Sequence, residues 1–148
     1  MATQLSPHFT LEEFTVSDTA VRLGLSNQPS PDMLARLKQT AAQLEKVRAV
    51  LGGRPITVNS AYRSPPVNAA VGGVSNSAHA QAHAVDFICP AFGTPFEICK
   101  KIAASGLKFD QLIHEKRDWV HISFAPAMRQ HLLTLPPDGG GYASGINP

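Results

Sequence analysis

The chain has 148 residues, enough for one domain with a sizeable core. Apolar residues make up 43% and charged residues 16%, the balance of an ordinary soluble globular chain. The net charge of +2 comes without a dense Lys/Arg run, which speaks against a nucleic-acid partner, and no apolar run approaches the ~18 residues of a membrane span.

The opening "MATQLSPHFTLEEF" has no positive region followed by an apolar one, so no signal peptide is expected and synthesis is expected in the cytoplasm. Thr10, three residues before Glu13, predicts a capping box and a short helix. After the loop "SNQPS", Ser30 is the expected N-cap of a second helix with Pro31 in its first turn. Leu34, Leu37, Ala41, Leu44, Val47 and Leu51 recur at spacings of three and four and mark its apolar face, and Gly52–Gly53 stop it. "PITVNSAY" reads as a strand, and "RSPPVNAAVGGVSNS" as a long loop of the kind that carries function. "HAVDFI" is a further strand. Thr94, Pro95 and Glu97 open another helix, which ends at Gly106. "FDQLIHE" and "WVHISFA" are two strands joined by a turn near Lys116–Arg117. Residues 1–135 form the expected domain. The Gly/Pro-rich tail 136–148 cannot build a core alone and is expected to be extended or to dock on something. Cys89 and Cys99 are expected buried and reduced. Helices first, then strands with one helix inserted, predict an α+β fold with a small antiparallel sheet backed by helices.

Strand parity selects candidate ligands. In "WVHISFA", Val120, Ile122 and Phe124 share the core face, so His121 points the other way. In "HAVDFI", Val85 and Phe87 face the core and Asp86 does not. Asp86 and His121 can therefore project from one face, with His79 folding over them from the preceding loop. Two imidazoles and a carboxylate with a fourth position open to water make a catalytic zinc site. A rival pattern pairs His79 with His83 at helical spacing, but Ala80 stands where the zinc-protease motif carries its glutamate. His8, His114 and His131 read as ordinary surface or core histidines.

The stretch "SAHAQAHAVD" resembles the S-x-H-x-x-G-x-A-x-D signature of the D-alanyl-D-alanine carboxypeptidase family of zinc peptidases, which includes phage endolysin peptidases and shares its fold with hedgehog domains. "WVHIS" resembles the family's second-histidine strand, "SAYRSPPVNAAVGG" its arginine segment, and "HFTLEEF", "LGL" and "LGG" the lead-in of small phage and bacterial members. The resemblance covers about residues 7–125. It implies that His79, Asp86 and His121 bind Zn2+, that His83 holds a variable position, and that Arg63 holds the substrate carbonyl or carboxylate and stabilises the oxyanion. Ser77 is expected to hydrogen-bond substrate or its own loop. The chain departs from the signature at Ala82, where the family glycine would allow a close backbone approach or a positive φ.

A zinc peptidase needs a carboxylate base. Asp118 matches the acid-x-x-His spacing of the carboxypeptidases, and Glu115 the longer spacing of hedgehog-like members. A three-residue turn, Lys116–Arg117–Asp118, would put Glu115 on the His121 face, which favours Glu115. The expected function is zinc-dependent hydrolysis of peptidoglycan stem peptides, as a D,D-carboxypeptidase or an L,D-endopeptidase. The enzyme would reach the wall after lysis, through holin release or as part of a virion. The alternative is a non-catalytic wall-binding or structural module, such as a phage tail component, with virion or tail-protein docking through the C-terminal tail.

Overall fold

The computed structural model describes residues Thr3–Pro148; Met1 and Ala2, part of the stretch read for a leader, lie outside the described residues. In chain order the elements are β1 (Gln4–Ser6), β2 (Phe9–Thr10), α1 (Leu11–Thr15), α2 (Asp18–Leu23), α3 (Pro31–Val50), β3 (Thr57–Ser60) and α4 (Pro65–Ala70). They continue with β4 (Ala84–Ile88), α5 (Pro95–Ala104), β5 (Gln111–Glu115), β6 (Trp119–Ser123), β7 (His131–Leu135) and β8 (Ala143–Ser144).

Local chemistry sets most boundaries. Both capping boxes form: Thr10 with Glu13 opens α1, and Thr94 with Glu97 opens α5. Ser30 caps α3, with Pro31 in its first turn. Two helices depart from the sequence expectation. The short α2 is capped by the Ser17 hydroxyl and closed by Gly24, whose φ of 66° suits a residue without Cβ. The region expected as a long loop contains α4, which begins with Ser64 and Pro65 as α3 begins with Ser30 and Pro31.

The fold is α+β. β1 and β2 form a small hairpin, and the main sheet runs β3-β4-β6-β5-β7-β8. Its pairings are antiparallel except β5 with β7, because the chain leaving β6 passes over β5 and pairs along β5's other edge. That parallel pair departs from the all-antiparallel expectation. β7 itself was not foreseen.

One face of the sheet is the core. Val85, Phe87, Leu112, Val120 and Ile122 pack there with Ile98 and Ile102 of α5 and Leu37, Leu44 and Val47 of α3, all fully buried. Cys89 and Cys99 are buried and unpaired, and burial pushes the Cys99 thiol up to about 12. His114 also faces the core: it is buried against Phe96, with Nδ1 2.8 Å from the Asn147 carbonyl oxygen. The tail docks on the chain's own sheet. β8 pairs with β7, the Gly145 amide donates to the Leu132 carbonyl at 2.7 Å, and the Thr134 hydroxyl donates to the Gly145 carbonyl at 2.7 Å. Among the described residues, no helix is long and apolar enough to cross a membrane.

Candidate metal centre

The uncovered face of the sheet is the floor of a cleft with a volume of about 790 Å³. Asp86 on β4 and His121 on β6 are directly paired, so their side chains leave the sheet on the same side. His121 Nδ1 lies 2.8 Å from Asp86 Oδ1. His79 comes from the turns before β4 and is held from behind: its Nδ1 lies 2.7 Å from the Ala61 carbonyl oxygen. An acceptor there fixes the proton on Nδ1 and leaves the Nε2 lone pair for the site. That Nε2 is 3.3 Å from Asp86 Oδ2.

Among the described residues, His79, Asp86 and His121 form a cluster able to hold a metal, one donor atom each, all within 4.8 Å of one another. Bonds of about 2.0–2.1 Å at tetrahedral angles separate donor atoms by about 3.3 Å, so these donors need only small rotations to close on one ion. Burial pushes the Asp86 carboxyl up, but the adjoining His121 and His79 rings outweigh it and hold the group far below its ordinary value. Asp86 is therefore an anion across the working pH range, as a ligand must be. The donor set is the nitrogen-and-oxygen kind that zinc takes, with three protein positions and room for a fourth ligand.

The loop that delivers His79 is tied by Asn68 of α4. Asn68 Nδ2 donates to the Val74 carbonyl at 2.7 Å, and its Oδ1 accepts from the Ser77 hydroxyl at 2.9 Å. Gly73 passes so close to Asn68 Oδ1 that a Cβ there would collide with it. Ser77 Oγ also accepts from the Ala80 amide at 3.1 Å, so Ser77 bonds its own loop while lining the cleft. Ala82, at the family's glycine position, has a φ of 63°, and the Thr40 hydroxyl donates to its carbonyl at 2.7 Å.

The two acidic candidates separate. The β5–β6 turn is three residues long, with Glu115 paired to Trp119 and Ile113 to His121. Glu115 is thus on the His121 face; it is buried and lines the cleft. Burial pushes its carboxyl above the ordinary value; His121 and Lys116 oppose that shift and Asp86 adds to it. Asp118 is exposed in the turn, and its amide donates to the Glu115 carbonyl at 2.9 Å. Arg63, just after β3, lines the cleft; burial pushes its guanidinium down against the pull of Asp86. Arg63 Nε and Trp119 Nε1 are buried donors without a partner among the described residues. His83 lines a separate cavity of about 270 Å³ with Thr40, Phe124 and Met128.

Sequence reasoning did not assign Lys116, Trp119, Leu133 or Tyr142 to the site, yet all four line the cleft. Parity could have found Trp119, two residues before His121. Tyr142 had one signal, a lone aromatic in a Gly-rich tail.

A three-donor centre open to a cleft, with a buried carboxylate and an orphaned guanidinium donor on the same face, defines a candidate metal-dependent hydrolase. The chain belongs to the peptidase M15 family, whose model matches residues 7–123. Over 47 residues it is 47% identical to the zinc D-Ala-D-Ala carboxypeptidase of Streptomyces albus G. That stretch is 32% of this chain and only 18% of the relative's length.

Proposed function

We propose that this protein is a zinc peptidase hydrolysing peptide bonds in peptidoglycan stems. The observation that carries the reading is the convergence of His79, Asp86 and His121 on the floor of a large open cleft beside a buried carboxylate. Family membership and the named activity of the Streptomyces relative support it.

His79 through Nε2, His121 through Nδ1 and Asp86 through a carboxylate oxygen would hold the ion. Zinc there supplies Lewis acidity, polarising a peptide carbonyl and making water acidic near neutral pH. Glu115 takes the proton of the attacking water as the water oxygen bonds to the carbonyl carbon. Glu115 then passes that proton to the departing nitrogen as the C–N bond breaks. Its placement on the His121 face, with Asp118 turned to solvent, supports Glu115 as the base. Arg63, with an unpartnered Nε in the buried part of the cleft wall, stabilises the charge that develops on the carbonyl oxygen.

Digestion of purified muropeptides, with products read by mass spectrometry, tests the proposal. New amine and carboxyl ends at one stem bond, absent after chelation, are expected. Intact muropeptides at full zinc loading would leave the site as a binding module.

A further inference from the structure

The family match ends at residue 123, and β7 and β8 lie beyond it. That extension nevertheless brings Tyr142 into the wall of the cleft. Three contacts fix the approach. β8 pairs with β7 through Leu133–Ser144 and Thr134–Ala143. The Gly145 amide is tied to Leu132 at 2.7 Å, and Ile146 packs against the core. Tyr142, the residue before β8, is left 58% exposed, a large aromatic held over water at the cleft mouth.

Strand order tells which part of a substrate it meets. The cleft crosses the sheet from Asn59 and Ser60 on β3 to Leu133 on β7 and Tyr142. Asp86 and His121 sit on β4 and β6 with His79 in the turns before β4, Arg63 follows β3, and Glu115 on β5 stands between these donors and the β8 end. Glu115 delivers its proton to the leaving nitrogen, so the β5–β8 side is the leaving side. Strands are about 4.8 Å apart, which puts β8 about 10 Å beyond β5, or about three residues of extended peptide. A chain ending one or two residues after the broken bond stops short of Tyr142; one that continues about three residues passes beneath it.

We propose that Tyr142, carried by the C-terminal strand, is a substrate-positioning residue for the leaving half of the peptide, and selects substrates that continue about three residues beyond the scissile bond. The inference rests on the peptidase reading above. The ring covers peptide methyl groups, and the phenol donates to a main-chain carbonyl. Partial burial and the nearby Glu115 and Asp86 carboxylates push the phenol's pKa up, which keeps that donor protonated.

The test uses zinc-loaded full-length protein. With branched stem peptides that continue past the cleaved bond, Tyr142→Ala should raise KM about tenfold with kcat little changed, the pattern of lost ground-state binding. Tyr142→Phe should fall between the two. Peptides with a single leaving residue should be indifferent to both changes. Calorimetric titration of the same peptides into Glu115→Gln and Glu115→Gln/Tyr142→Ala proteins gives a readout independent of turnover, with about tenfold weaker binding expected for the second. Equal affinity in the pair overturns the inference whether or not the wild type cleaves. Tyr142-dependent binding by a wild type that cleaves nothing overturns the peptidase reading and upholds Tyr142 as the contact. Absence of binding to either protein overturns both. Loss of slow exchange at the Gly145 amide in Tyr142→Ala would show that Tyr142 only holds the tail, which also overturns the inference.

Discussion

Glu115 and Asp118 are three residues apart, yet the turn sends one into the cleft and the other into water. Glu115→Gln should keep metal and fold but lose nearly all turnover, since the amide cannot take a proton. Asp118→Asn should stay within about twofold of wild type, as surface changes usually do. Rates of both variants at matched zinc occupancy check this, and an inactive Asp118→Asn beside an active Glu115→Gln would reverse the assignment. The sequence already held this choice, because side-chain direction follows strand parity and a three-residue turn preserves it. The shared face of Asp86 and His121 was equally legible, since each lies between core-facing neighbours. Tyr142 was not, because no periodicity runs through a Gly-rich tail and only tertiary pairing brings it back. Ala82 makes a second point at this scale. Its left-handed conformation costs roughly 1–2 kcal/mol. Replacing it with glycine relieves that strain but gives up a buried methyl worth about 0.8 kcal/mol and adds about 0.5–1 kcal/mol of chain entropy. Ala82→Gly should therefore shift stability by less than about 1 kcal/mol. Ala82→Val, β-branched at positive φ in a packed core, should cost more than about 2 kcal/mol. Urea unfolding midpoints of the two variants decide it.

Among the elements, the capped helices α1, α3 and α5 and the strands β3, β4, β5 and β6 were legible, while α2, α4, β7 and β8 were not. α1, α3 and α5 carry their caps in sequence. α2 carries a cap too and α4 opens on Ser64 without a side-chain cap, but six residues are too few for an apolar face to repeat, so α4 passes for loop. β7 lacks a turn to β6 that would mark a hairpin, and is placed instead by Asp110. The Asp110 carboxylate accepts from Arg129 Nε and a terminal guanidinium nitrogen, both at 2.8 Å, and its backbone carbonyl accepts from the His131 amide at 2.9 Å. The hydrogen bonds from Arg129 hold the Asp110 carboxyl below its ordinary value, with burial acting against them. A lowered native pKa gives stability that is present above the unfolded value, about 3.9, and is lost as pH falls through the native value. Asp110→Asn should cost about 1–3 kcal/mol at pH 7. That difference should shrink as pH falls below about 4, as thermal unfolding across that range would show. A gap that stays constant with pH would mean that the pair adds nothing through charge.

For the whole molecule, the sheet divides the labour. One face holds the core that α3 and α5 cover; the other is left open, and its middle strands carry Asp86 and His121 of the candidate metal centre. This division explains why a chain of ordinary composition places His79, Glu115 and His121 at less than a tenth exposed in a cleft and not in the core. Burial of such groups is costly unless each has a partner; the Ala61 carbonyl meets the His79 ring and the Asp86 carboxylate meets the His121 ring. The most direct test removes the metal with a chelator and returns zinc stepwise, reading bound metal and muropeptide cleavage from the same sample. Cleavage should be absent without metal, rise in proportion to bound zinc and level off at about one ion per chain, with His83→Ala indistinguishable from wild type and Asp86→Ala failing to load. Full-rate cleavage by the chelated protein, or tight zinc binding by Asp86→Ala with none by His83→Ala, would contradict the account.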